Sequence, residues 1–258
     1  MAKRVNSWVF DAGMLFNVAC DHAQLIEASP REGNQKAALV SIIFSVLTLE
    51  AFLNELAEFA CDTDIEKPEV IDALADFLMD AERSNASLET KLTVGNWILT
   101  GTRLNRGEQP FQDFTLLVRL RNDLVHFKAN ARFEDGVPTR RMHANLIDKF
   151  RGKEILAENL KENELSWSNL VQTKAVAEWS CKTAAHMVTD LCNKIPADFR
   201  TYLRPSEQYY DADRIFSGSR EVEAGRKVKR RCPECGWESE WGPDAGEEPL
   251  HECKLDGK

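Results

Sequence analysis

Apolar residues recur at helical spacing along most of the chain. Between Val5 and Ala28 they fall at Val9, Phe10, Leu15, Phe16, Val18, Leu25 and Ile26, the period of a helix that buries one face. Pro30 and Gly33 interrupt that pattern. From Gln35 to Cys61 a second run, QKAALVSIIFSVLTLEAFLNELAEFAC, is apolar around most of its circumference up to Phe52. Such a helix belongs at the centre of a bundle. Pro68 opens a third helix whose buried stripe is Val70, Ile71, Leu74, Phe77 and Leu78. Ser87 to Thr100 is a shorter helix closed by Gly101, and Phe111 to Lys128 is the next. Residues 129–167 read as loops and short helix, with turn signals at Asp135-Gly136 and Pro138. Ser168 to Lys194 is the last core helix, stopped by Pro196. Almost nothing alternates with period two, so the expected fold is all-α: a helical bundle over residues 1–196.

After residue 196 the character changes. Residues 197–231 are polar and aromatic without clear periodicity and read as a linker, with packing against the bundle left open. It ends in RKVKRR (Arg226 to Arg231), five basic residues in six. Residues 232–258 hold Cys232-Pro-Glu-Cys235-Gly and then His251-x-Cys253. Two thiolates three apart on a glycine-relaxed turn, with a further sulfur and an imidazole, make a tetrahedral set suited to structural zinc. Cys232, Cys235, His251 and Cys253 are the metal-ligand candidates, and a module this small would draw most of its stability from the ion. The His-x-Cys half is short, which leaves room for another fourth ligand. Cys20, Cys61, Cys181 and Cys192 lie singly in helical patterns, where a cysteine is usually a small buried hydrophobe. This split suits a cytoplasmic metal site better than a secreted disulfide framework.

The net charge of −9 argues against a generic nucleic-acid coat, because phosphate binding draws on Lys and Arg. A local basic patch remains compatible with it. RKVKRR with Trp237 and Trp241 nearby would suit phosphate tracking and base stacking; a solvated linker, or an acidic protein partner, accounts for it equally well. The start of the chain lacks the apolar core of a secretory signal. The most apolar stretch, Ala37 to Leu53, is short and carries Ser41, Ser45, Thr48 and Glu50, so no membrane association is expected.

The chemistry concentrates between Phe114 and Phe127. On a wheel advancing about 100° per residue, Leu116, Leu117, Leu120, Leu124 and Phe127 form one apolar face, extended by Phe114, Val118 and Val125. Thr115, Arg119, Asn122 and His126 form the opposite polar stripe. Arg121 breaks the pattern, because it lies between Phe114, Leu117 and Val125. A guanidinium is always charged, and burying it unpaired is costly. Glu50 breaks the second helix in the same way, among Ile43, Val46, Leu47 and Leu53. A buried Arg121–Glu50 pair, or a cleft lined by both, resolves the two anomalies together. A purely structural ion pair would satisfy them as well.

Arg121-Asn122-x-x-x-His126, set in PFQDFTLLVRLRNDLVHFK, resembles the signature of HEPN-domain ribonucleases. LTLEAFLNELAEF and VAEWSCKTAAHMV resemble flanking helices of bacterial proteins of that kind. The resemblance spans roughly residues 1 to 196. It implies a HEPN-like bundle that dimerises, bringing two motifs to one cleft, and metal-independent RNA cleavage by 2′-hydroxyl attack. Carried over position by position, it makes His126 the general acid/base, Arg121 the phosphate clamp and Asn122 an orienting group. Together with Glu50 these are the candidate catalytic residues. It further implies a prokaryotic defence or toxin effector, with a neutralising or sensing partner protein. Some relatives carry a modifiable tyrosine two residues after the histidine; Lys128 stands there instead. The alternative is a HEPN scaffold that binds a protein or nucleic acid through the zinc knuckle without cutting.

Overall fold

The computed structural model describes residues 11–26, 32–61, 67–126, 131–134, 137–141, 144–156, 167–207, 210–211, 215–216, 228–231 and 238–241. It divides into a larger unit up to Asp213 and a smaller one from Arg214. The larger unit is mostly helical, and its described elements are α1 (Ala12–Leu25), α2 (Glu32–Ala60), α3 (Glu69–Arg83), α4 (Leu88–Thr100), α5 (Phe111–Val125), α6 (Ala144–Arg151), α7 (Trp167–Val171), α8 (Lys174–Lys194) and α9 (Ala197–Glu207). A hairpin of β1 (Ala131–Glu134) and β2 (Val137–Arg141) interrupts the series.

Helix α2 is the axis of the bundle and packs against α1, α3, α5 and α8. Ile42, Val46, Leu49, Phe52, Leu53 and Leu56 are buried along it. Among the described residues it is the one helix long and apolar enough to cross a bilayer, over Asn34–Ala60. Ala37 to Leu53 alone falls short of that length, but the whole helix does not. Its place among four other helices accounts for the apolar circumference. Ser41 and Ser45 are buried there too, with Ser41 Oγ 3.4 Å from the Sγ of Cys181 on α8. Burial by itself would raise that thiol's pKa, yet hydrogen bonds from Cys20, Ser41 and Ser45 bring it below the ordinary value. Cys181, Cys20 and Cys192 are buried as the pattern predicts, whereas Cys61, just past the end of α2, is exposed.

Local chemistry explains several boundaries. Ser87 accepts the amide of Thr90 at 3.1 Å and starts α4; Gly101, at φ 68°, ends it in the left-handed region. Thr173 caps α8 by accepting the amide of Val176 at 3.2 Å. That cap splits the helix expected from Ser168 to Lys194 into α7 and α8. The hairpin β1–β2 falls where loops were expected, since its strands are too short and too polar to show a period of two.

The segment read as a linker from residue 197 contains α9. Phe199 and Leu203 are fully buried, and Phe199 packs tilted against Phe59 with ring centroids 5.5 Å apart. Tyr210 is buried against Phe16 and Phe52, and that burial pushes its hydroxyl pKa up. The bundle therefore extends past residue 196, because two apolar residues four apart were enough to dock a short helix.

In the smaller unit, β3 (Val228–Arg231) pairs antiparallel with β4 (Glu238–Trp241). The run RKVKRR is thus in part a strand. In its register Lys229 lies opposite Glu240 and Arg231 opposite Glu238.

Candidate functional site

Helix α5 presents its face as the wheel predicts. Phe114, Leu116, Leu117, Leu120 and Leu124 are buried. Val125 is not: it is 48% exposed in the last turn, where α5 leaves the bundle. Phe127 lies outside the described residues.

Arg121 and Glu50, 71 positions apart in the chain, form an ion pair through Nη2 and Oε1. The Arg121 side chain is 20% exposed and that of Glu50 37%, so the pair sits at the edge of the core rather than inside it. Arg121 Nη1 donates to Oδ1 of Asn122 at 3.0 Å, while its Nε is buried without an acceptor among the described residues. One guanidinium therefore bridges two helices by one edge and reaches the exposed Asn122 by another. The planar fork of arginine allows this geometry; a lysine could not hold it.

His126 follows directly. It is the C-cap of α5, exposed, at φ −104° and ψ 59°, and its amide donates to the carbonyl of Asn122 at 2.9 Å. The helix thus stops on the histidine of the motif. An ideal helix would set Arg121 and His126 roughly 140° apart. Among the described residues His126 makes no side-chain hydrogen bond into the Arg121–Glu50–Asn122 cluster.

The polar region continues beyond the motif. Asn54, one turn after Glu50 on α2, accepts from Lys91 Nζ at 3.2 Å, and Lys91 also pairs with Glu82. The Lys91 side chain is only 6% exposed. Sequence reasoning missed Asn54 and Lys91, although Asn54 shares the face of Glu50 and a lysine within the apolar pattern of α4 was a visible anomaly. A second junction lies at the start of α5. Asp113 accepts from Trp179 Nε1 and Gln109 Nε2, each at 3.0 Å, and pairs with Lys153 at 2.5 Å. Burial would raise this carboxyl, but the three donors outweigh it and hold the pKa below the ordinary aspartate value. This junction ties α5 to α8 and to the end of α6, and so fixes the tilt of the helix that carries the motif.

Glu55, on the next turn of α2, accepts the amides of Asp11 and Ala12 at 2.6 and 2.8 Å. It caps α1 from a distance, and burial raises its pKa despite those bonds. Its role is architectural.

Cys232, Cys235, His251 and Cys253 lie outside the described residues. Among the described residues no group of three or more His, Cys, Asp and Glu side chains is arranged to hold a metal. No protein-family model, curated protein or solved structure matches the chain.

Proposed function

We propose that the protein is a metal-independent endoribonuclease of the HEPN type that acts as a cytoplasmic homodimer. The observation that carries this reading is the cluster of Glu50, Arg121 and Asn122 beside a helix that ends on His126. Glu50 orients the guanidinium, whose Nη1 edge remains on the exposed side with Asn122 and could receive a phosphate oxygen. A carboxylate beside the clamp opposes anion binding, so the phosphate must share the guanidinium with Glu50 instead of displacing it.

The reaction draws on two copies of this chain. The His126 imidazole accepts the 2′-hydroxyl proton. The 2′ oxygen bonds to phosphorus, the P–O5′ bond breaks, and the leaving 5′ oxygen takes a proton from the imidazolium of the second copy. Arg121 stabilises the charge that builds on the phosphoryl oxygens. Partial exposure of Ile43 and Leu47 on α2, with Val125 on α5, leaves apolar surface near the pair for a second copy to cover. A role as a prokaryotic defence or toxin effector, with a neutralising or sensing partner, rests on the family resemblance alone.

Cys232, Cys235, His251 and Cys253 are proposed to hold one structural zinc. The donor set fits a closed tetrahedral site. In sequence, the first pair lies between the strands β3 and β4.

Incubation of the purified protein with total RNA in EDTA, beside His126→Ala and Arg121→Ala, tests the reaction. Cleavage by the parent, with 2′,3′-cyclic phosphate ends and a loss of at least about 100-fold in each variant, is the expected outcome. Equal cleavage by His126→Ala defeats the catalytic assignment. A second reading, the scaffold that binds without cutting, is favoured by the engagement of Arg121 with Glu50. It takes over if no RNA is cut under any condition.

A further inference from the structure

The C-terminal half of α4 and the loop after it form a surface that neither the motif nor the core requires. Thr93, Val94 and Trp97 share one face of α4. With Arg103, Leu104 and Arg106 they line an open cleft of about 330 Å³. Trp97 is 57% exposed, although burying an indole is normally one of the most favourable acts of folding. A tryptophan left in water beside arginines fits a flat, anionic ligand better than it fits a core.

The walls are pre-formed. Gly101 turns the chain at φ 68°, Asn96 Nδ2 donates to the carbonyl of Thr102 at 3.0 Å, and Thr100 Oγ1 meets Thr102 Oγ1 at 2.9 Å. Asn105 Oδ1 accepts the amide of Gly107 at 3.0 Å, a side-chain turn that sets the direction of Arg106. Arg106 is bridged to Glu89 at 3.4 Å and partly neutralised. Arg103 is exposed and has no ion pair among the described residues. The cleft therefore offers one indole face and one uncommitted guanidinium on a rigid frame, in a protein whose overall charge repels anions.

We propose that this cleft is a binding subsite for single-stranded RNA, in which one base stacks on Trp97 while Arg103 contacts an adjacent phosphate. Stacking suits any base and the guanidinium suits any phosphate, so the subsite holds the strand without reading its sequence. The choice of RNA rests on the ribonuclease reading; the nucleotide chemistry of the cleft does not. The motif would cut, and the cleft would retain the strand.

The test measures fluorescence anisotropy of a fluorescein-labelled oligouridine with full-length protein carrying His126→Ala, so that cleavage does not consume the probe. Adding Trp97→Ala should weaken binding roughly tenfold, and Trp97→Phe should recover most of the loss. Arg103→Ala should weaken binding and lower the slope of log affinity against log salt by about 0.7. Unchanged circular dichroism guards against misfolding, since both side chains are exposed. Undiminished binding in Trp97→Ala and Arg103→Ala overturns the subsite. So does Trp97-dependent binding of a labelled phosphorylated peptide by a protein that shows no affinity for the oligouridine. The two readings separate cleanly: RNA cleavage that needs His126 but not Trp97 sinks the cleft alone. Trp97-dependent binding by a protein that never cuts sinks the nuclease alone.

Discussion

The bundle around α2 and the hairpin of β3 and β4 solve the same problem with different means. In the bundle, helices bury Phe16, Phe114, Phe150 and Phe199 completely, and the buried Lys91 is held by Asn54 and Glu82. The smaller unit shows a four-residue strand of VKRR against one of ESEW, with basic and acidic residues opposite each other in register. Cross-strand pairs of that kind are worth less than about 1 kcal/mol each. A two-stranded hairpin is marginal by itself in water. A core supports the first unit; in the second, the four cysteine and histidine side chains proposed above as zinc ligands are the candidate source of stability.

The largest way to break this contrast is to remove the proposed ion. Chelation at neutral pH, or Cys235→Ser, should abolish zinc binding and melt the hairpin, since structural zinc supplies on the order of 10 kcal/mol to modules of this size. The helical signal near 222 nm and its melting temperature should stay the same. Elemental analysis and far-ultraviolet circular dichroism read the two effects separately, and a variant that kept its zinc would end the assignment.

The reverse experiment strikes the core. Phe114→Ala should destabilise the bundle by about 3–5 kcal/mol in a urea titration, with zinc content untouched. A coupled loss of metal would mean that the two units do not stand apart.

The edge of the core is a smaller target. Glu50→Ala leaves the Arg121 guanidinium half-buried beside an empty position, which should cost about 1–2 kcal/mol, less than a fully buried pair because water reaches both groups. RNA cleavage should fall far more than stability does, because the guanidinium loses its orientation. Equal losses in both would identify a merely structural pair.

The smallest effect concerns Asp113. Its folded pKa lies below the ordinary aspartate value, so its stabilising contribution is present at neutral pH. That contribution is lost as the pH drops below about 4 and passes through the lower folded value. Asp113→Asn should cost about 1 kcal/mol at pH 7. It should also flatten the acid limb of the stability curve measured by urea denaturation. A parent and variant with identical acid limbs would remove the charge from that account.

The positions of Arg121 and Glu50 were legible because both violate an otherwise regular pattern, and two violations of opposite charge identify each other. His126 was legible as a residue but not as the end of α5, since nothing in VRLRNDLVHFK marks a stop. Trp97 was unreadable: an indole at helical spacing looks like core, and only the packing leaves it outside. The cluster at Asp113 escaped for another reason, as Trp179 and Lys153 come to it from distant parts of the chain.

By itself, the order of apolar and polar residues determined the larger helices, the central place of α2, the charge anomaly at Arg121 and the cysteine- and histidine-bearing character of the C-terminal segment. Periodicity and ligand spacing are local, and a local pattern survives in one dimension. Tertiary structure alone decided that α9 docks through Phe199 and Leu203, that Lys91 is buried, and that Arg103 and Arg106 meet Trp97 in one cleft. Those outcomes depend on which surfaces compete for burial once the chain is compact, and that competition is between residues far apart in sequence.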